Sequence, residues 1–193
     1  MAWGNGPGPA MIAERRNAAW LGCARMMLRA IRPADLDTVL AINEAEVPAV
    51  GPLEPEALER LVEQSLIAIV AELDGEVGGF CLVLPPGEGY SSSNYRWFAE
   101  RYDDFVYLDR VAIAPAHQRR GVGRALYAEV ERLAGEHRPA ATDFLLEVNL
   151  RPRNDTSLAF HAELGFVEVA QRETDYGALV SMMTKPLAGR AVT

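Results

Sequence analysis

The stretch Phe105 to Arg124, FVYLDRVAIAPAHQRRGVGR, decides how this chain is read. Up to Ala114 it alternates and is rich in β-branched and aromatic residues, the pattern of a strand. Pro115, which has no N–H for a ladder, ends it. The second half opens a helix, and between the two lies Gln118-Arg119-Arg120-Gly121-Val122-Gly123. Two glycines let the backbone come close to a ligand, and the first N–H groups of a helix have no acceptor of their own. A helix N-terminus is partially positive, and Arg119, Arg120 and Arg124 add full charges, so a phosphate or pyrophosphate is the expected guest. The spacing is not that of a Walker loop, and a bare Gly-Val-Gly is too short for a dinucleotide fingerprint.

A second landmark is Asn154-Asp155-Thr156-Ser157-Leu158-Ala159-Phe160-His161-Ala162-Glu163-Leu164-Gly165-Phe166. The two stretches together resemble the GCN5-related N-acetyltransferase (GNAT) superfamily. Its acyl-CoA loop reads Gln/Arg-x-x-Gly-x-Gly/Ala behind a strand ending in a Val-x-Val-like segment, filled here by Gln118, Gly121 and Gly123 behind Val111-Ala112-Ile113. Its second landmark is an Asn-led helix closing in Leu-Gly-Phe. Within the superfamily the chain resembles the bacterial predicted-acetyltransferase branch, with His161 where a catalytic tyrosine is usual. The resemblance covers residues 27–187 as one acyl-CoA N-acyltransferase domain, with 1–26 a flexible Gly/Pro-rich leader and 188–193 a tail. The implied fold is α/β (α+β): a mixed, mostly antiparallel central sheet of about seven strands with helices on both faces.

Composition narrows the function classes. With 19 Lys+Arg against 27 Asp+Glu the net charge is −8, so a general affinity for nucleic acid, which needs a basic surface, is not expected. An acidic body with one arginine cluster suits an anionic cofactor and a cationic amine as acceptor. Cys23 and Cys81 form no disulfide framework, and His117, His137 and His161 have no metal-ligand spacing, which points to a cytoplasmic, metal-free protein. Arg15-Arg16 with the short apolar run to Cys23 is too weak for an export leader, and no apolar run is long enough to span a bilayer.

In chain order, Leu28 to Ile31 reads as a strand, Pro33 opens a helix to Glu46, and Glu54 to Ser65 is a second helix. Leu66–Leu73 and Glu76–Leu84 are strands joined at Asp74-Gly75, a hairpin signal, with Gly78-Gly79 marking a bulge. Residues 85–104 are longer than the family's usual turn and carry Tyr95, Phe98 and Tyr102 on one helical stripe, read either as packing on the body or as a cover over the acceptor site. After the glycine loop come a helix to Glu136, a strand Thr142–Leu150, the Asn154 helix, a strand Phe166–Arg172, a turn at Asp175–Gly177 and a last strand Leu179–Thr184.

The resemblance implies acetyl-CoA as co-substrate and acetyl transfer to a primary amine by direct attack in a ternary complex. The partner is a small-molecule amine, with no nucleic acid and no membrane, and a homodimer as an open option. Pantetheine would bond the backbone near Val111 and Ile113, the amides of Gln118, Arg119, Arg120, Gly121, Val122, Gly123 and Arg124 would cradle the pyrophosphate, and Asn154 would belong to the same cofactor site. The base is a choice among carboxylates. Asp109 shares a strand face with Phe105 and Tyr107, and Glu147 alternates away from Phe144, Leu146 and Val148. Asp103 and Asp104 are further candidates, and a water-mediated base would also serve. His161 would either protonate the leaving thiolate as an imidazolium or stabilise it by a hydrogen bond. A non-catalytic CoA-binding sensor or regulatory module is the alternative.

Overall fold

The computed structural model describes residues 17–21, 24–87 and 89–187. Its strands are β1 (Asn17–Leu21), β2 (Ala24–Ala30), β3 (Ile67–Leu73), β4 (Glu76–Leu84), β5 (Phe105–Ile113), β6 (Asp143–Arg151), β7 (Val167–Glu173) and β8 (Leu179–Pro186). They hydrogen-bond in the order β1-β2-β3-β4-β5-β6-β8-β7. Five α-helices accompany them among the described residues: α1 (Leu36–Ala45), α2 (Pro55–Gln64), α3 (Ser93–Ala99), α4 (Val122–His137) and α5 (Asp155–Glu163). The expected mixed, mostly antiparallel α/β architecture is therefore present. Contacts group the chain into two units. The first holds the described residues up to Leu82 with Arg110–Val130, and the second holds Val83–Asp109 with the described residues from Glu131 on.

In the first unit β2 pairs antiparallel with β1 and with β3. The β3–β4 hairpin turns at Asp74 and Gly75, whose φ values of 51° and 94° are the left-handed pair a tight two-residue hairpin requires. Arg29 on β2 is its electrostatic centre. The guanidinium donates to both Asp35 oxygens at 2.7 and 2.9 Å and to Glu72 on β3 at 2.7 Å. That fork ties the strand pair to the single 3-10 turn that begins α1. Val39, Ile42, Leu58, Leu61, Ile69 and Phe80 are buried. Two boundaries differ from expectation. The strand read from Leu28 begins at Ala24, and residues 17–21, inside the expected leader, form β1, because a neighbouring strand supplies a ladder that composition does not reveal. Residues 1–16, 22, 23 and the tail 188–193 lie outside the described residues.

In the second unit β6 runs parallel to β5 from Phe105↔Asp143 to Tyr107↔Leu145. Its other edge pairs antiparallel with β8, which pairs antiparallel with β7. The second landmark has a physical explanation here. Asn154 caps α5, its side-chain oxygen accepting from the Ser157 amide at 3.0 Å. The helix ends in a Schellman turn: Gly165 at φ 90° donates to the Ala162 carbonyl and Phe166 to that of His161, both at 3.0 Å. Phe166 is thereby folded back against Phe144 and the His161 ring. The insertion is anchored by aromatic packing. Tyr95 and Phe98 are buried, and Tyr95 meets Phe105 and Tyr107 edge-on, so the stripe packs on the body. Among the described residues no helix is long and apolar enough to cross a membrane.

Candidate active site

The first unit carries the glycine loop. β5 ends at Ile113, one 3-10 turn occupies Pro115–His117, and the chain reverses through Arg119 at φ 56° and Gly121 at φ 80° before α4 begins. The Ala125 amide is the first to reach back into the loop, donating to the Gly121 carbonyl at 3.1 Å. The amides of Val122 and Gly123 precede that bond, at the positions where a helix start supplies no intrahelical acceptor. Arg119, Arg120 and Arg124 are exposed around this terminus. The Gln118 side chain has a structural task, donating to the Ile113 carbonyl at 3.1 Å and to Glu46 at 2.7 Å. It pins the loop to the end of β5 and to the residue after α1. Gly78 and Gly79, expected to mark a bulge, are positions of close approach. A Cβ on Gly78 would stand 2.6 Å from Leu73 and 2.8 Å from the His117 ring, and one on Gly79 3.0 Å from the Ala112 carbonyl. His117 is held within 3.2 Å of Arg120. Oriented amides, partial positive charge and arginines fit a pyrophosphate, and Val111 and Ile113 present β5 backbone just before it.

The second unit gathers the chemistry of proton transfer. Glu147, half-buried on β6, accepts from the Tyr107 hydroxyl, which lies 3.0 and 2.8 Å from its two oxygens, and from the Asn94 amide at 3.0 Å. Burial pushes its carboxyl from 4.5 up to about 7, with the hydrogen bonds from Asn94 and Tyr107 pulling the other way and the charge of Asp109 adding to the rise. Tyr107 is fully buried, and its hydroxyl is driven well above its usual range by that burial and by Glu147. Asp109, also on β5, accepts a hydrogen bond from Tyr90. The four residues Tyr90, Tyr107, Asp109 and Glu147 thus form one connected electrostatic cluster. Asp104 stands apart, bound to Arg138 at 2.7 Å. Arg110 donates to Asn43 and to the Gly51 carbonyl within the first unit, and Arg151 to Glu173.

His161, drawn from the sequence as an acid or a thiolate stabiliser, is buried on α5. It is 3% exposed, and burial lowers its imidazole from 6.5 to about 4, so it is neutral at physiological pH. Nδ1 lies 2.7 Å from the Ser157 carbonyl, which only an N–H can satisfy, so in the neutral ring Nε2 carries a lone pair. Such a ring neither protonates a thiolate nor donates a hydrogen bond to it. Asn154, placed in the cofactor site by resemblance, spends its side-chain oxygen on the α5 cap.

Sequence reasoning missed Asn94. It lies in a run, Ser91-Ser92-Ser93-Asn94, that reads as loop, on a helix of seven residues, too short for a polar position to stand out from a periodic pattern. Arg172, which donates to the Asn94 oxygen at 3.2 Å, closes the expected strand Phe166–Arg172, and no motif singles it out. Among the described residues no group of His, Cys, Asp or Glu is placed to hold a metal ion.

Comparison with known proteins agrees with this fold. Ard1 of Thermoplasma volcanium superposes with a TM-score of 0.68 at 21% identity, covering 84% of this chain and 97% of that one. The ribosomal-protein-S18-alanine N-acetyltransferase of Escherichia coli gives 0.63 at 19% identity, over 86% and 96%. The yncA protein of Salmonella typhimurium, solved with its cofactor acetyl-CoA, gives 0.63 at 22% identity, over 86% and 96%. Likenesses at this identity speak for the fold. No curated protein matches the sequence. The sequence model of the acetyltransferase (GNAT) family matches residues 36–166, well over half of the chain, and by that match the protein belongs to the acetyltransferase (GNAT) family and is an acyltransferase.

Proposed function

We propose that the protein transfers the acetyl group of acetyl-CoA to a primary amine of a small molecule, by direct attack in a ternary complex, with Glu147 as the general base. The observation that carries this reading is the environment of Glu147. An acceptor arrives as an ammonium and must lose a proton before nitrogen can attack. A carboxyl poised near 7 takes that proton far better than one at its ordinary value. The ammonium gives one proton to Glu147, nitrogen bonds to the thioester carbon, the C–S bond breaks, and the second proton that nitrogen loses passes to solvent as the thiolate takes one up from it.

The other residues support the same chemistry. The Gln118 amide is spent on the Pro115 carbonyl at 3.4 Å, so the loop amides from Arg119 to Arg124 would bind the pyrophosphate and the backbone at Val111 and Ile113 the pantetheine, fixing the thioester. Asp109 contributes negative charge that favours an ammonium as well as raising Glu147. His161 is a packing residue. Cys81 is buried, and burial pushes its thiol far up, which argues against an acyl-enzyme at that sulfur. A net charge of −8 suits a cationic acceptor. Residues 27–187 would act as one catalytic domain in the cytoplasm, a location in keeping with the absence of a disulfide framework from the sequence.

The test is release of free thiol from acetyl-CoA with a panel of small amines and peptide N-termini, with mass analysis of the acceptor. Amine-dependent, saturable release with acetylated small amine supports the proposal. Saturable acetyl-CoA binding without turnover across the panel would make the chain a binding module, and turnover confined to peptides would replace the small-molecule acceptor.

A further inference from the structure

We infer that Asn94 and Arg172 are a positioning pair for the base: Arg172 fixes the side-chain amide of Asn94, and Asn94 fixes one carboxylate oxygen of Glu147. The inference rests on the reading of Glu147 as the base.

Asn94 is 2% exposed and its side chain is used on both sides. Its oxygen accepts from Arg172 Nη1 at 3.2 Å and its nitrogen donates to Glu147 Oε1 at 3.0 Å. A primary amide can sit in two orientations related by a flip, and here chemistry chooses between them. Flipped, the oxygen would face the Glu147 carboxylate and the NH2 group would face a guanidinium that has only donors. Arg172 is itself held, since Nη1 also donates to the Ser93 carbonyl, and Ser93 donates to Asp175. The inserted helix α3 is thereby locked to β7 and to the turn that follows it.

The consequence appears at the two oxygens of Glu147. Asn94 donates to Oε1, and the Tyr107 hydroxyl, whose single proton serves one oxygen at a time, lies 2.8 Å from Oε2 and 3.0 Å from Oε1. Asn94 thereby fixes the plane of the carboxylate, which keeps a lone pair to receive the substrate proton. The groups facing Glu147 are Tyr107 and Asp109 on β5, Tyr90 on the segment before α3, Tyr176 on the β7–β8 turn and, through Asn94, Arg172 on β7. Of these, Asn94 and Tyr107 favour the carboxylate, whereas burial and Asp109 oppose it. Without Asn94 the group would stay protonated to higher pH and be a base too seldom at neutrality.

The experiment is the pH profile of kcat/KM with an accepted amine, alongside melting curves, for the parent, Asn94→Ala, Asn94→Asp, Arg172→Gln, Arg172→Lys and Glu147→Gln. Asn94→Ala should move the acidic limb upward by about one pH unit. Asn94→Asp keeps the volume and the contact with Arg172 but offers Glu147 an acceptor, and should move the limb at least as far. Arg172→Gln should move it less in the same direction, and Arg172→Lys should restore most of the parent profile. If Asn94→Ala fails to fold, Asn94→Asp decides. An acidic limb unchanged in a folded Asn94 variant, with Glu147→Gln inactive, overturns the pair and leaves the base standing. Parental rates in Glu147→Gln would instead remove the base, and the pair with it.

Discussion

Replacing Glu147 by glutamine should make the protein more stable at neutral and alkaline pH, by an amount that grows with pH over a defined window. The carboxyl sits at about 7 in the fold against an ordinary 4.5. Below 4.5 folded and unfolded chains are both protonated there and the group costs nothing. As pH rises the unfolded chain ionises first, so the folded state binds the extra proton and loses stability steadily until its own carboxyl ionises near 7. At about 1.4 kcal/mol per pH unit that gap is worth about 3 kcal/mol, an upper value because Glu147 is half-buried. His161 acts oppositely. Its folded value of about 4 against 6.5 makes stability rise with pH between those limits, so the parent alone should look nearly flat there. The difference between parent and Glu147→Gln isolates the carboxylate. Urea unfolding at intervals from about pH 4.5 to 8 should show the glutamine variant gaining on the parent by about 2–3 kcal/mol across the window. A constant difference over that range would mean that Glu147 titrates at its ordinary value and is not a poised base.

Gly121→Val should abolish acetyl-CoA binding measured by calorimetry while costing only about 1–3 kcal/mol of stability, because a β-branched residue at φ 80° is strained and its side chain would crowd the phosphate site. Arg120→Ala should weaken binding and flatten its salt dependence. Arg29→Met should cost about 3–5 kcal/mol in denaturant unfolding, since it leaves Asp35 and Glu72 without their shared cation; a loss below about 1 kcal/mol would show that the fork is not structural. His161→Gln should keep kcat within about threefold of the parent and leave both limbs of the pH profile in place. A hundredfold fall with a moved basic limb would return the acid role to His161.

Much of this molecule is legible in its sequence where the determinant is local. Pro115 stops β5, Asp74-Gly75 needs two left-handed residues, and Asn154 and Gly165 cap α5 at its two ends. All are decided by backbone chemistry within a few positions. The base was legible as a choice among carboxylates, Asp109 on β5 and Glu147 on β6 with Asp103 and Asp104 before β5. What separates them is desolvation, a property of everything packed around a residue. The same holds for His161, whose place in the Asn-led helix says nothing of its burial or of the Ser157 carbonyl that takes its Nδ1 proton. Asn94 and Arg172 are 78 positions apart and meet only through the fold. β1 is invisible in composition because a strand at a sheet edge owes its order to its neighbour.

The pH dependence of kcat/KM for acetyl transfer to an accepted amine tests the central claim most directly. The parent should rise through a single acidic limb with a midpoint near the value of about 7 set by Glu147, and Glu147→Gln should lose that limb and fall by about 10²–10⁴-fold, with acetyl-CoA affinity unchanged. A limb that persists in Glu147→Gln at the parental midpoint and rate would contradict the account.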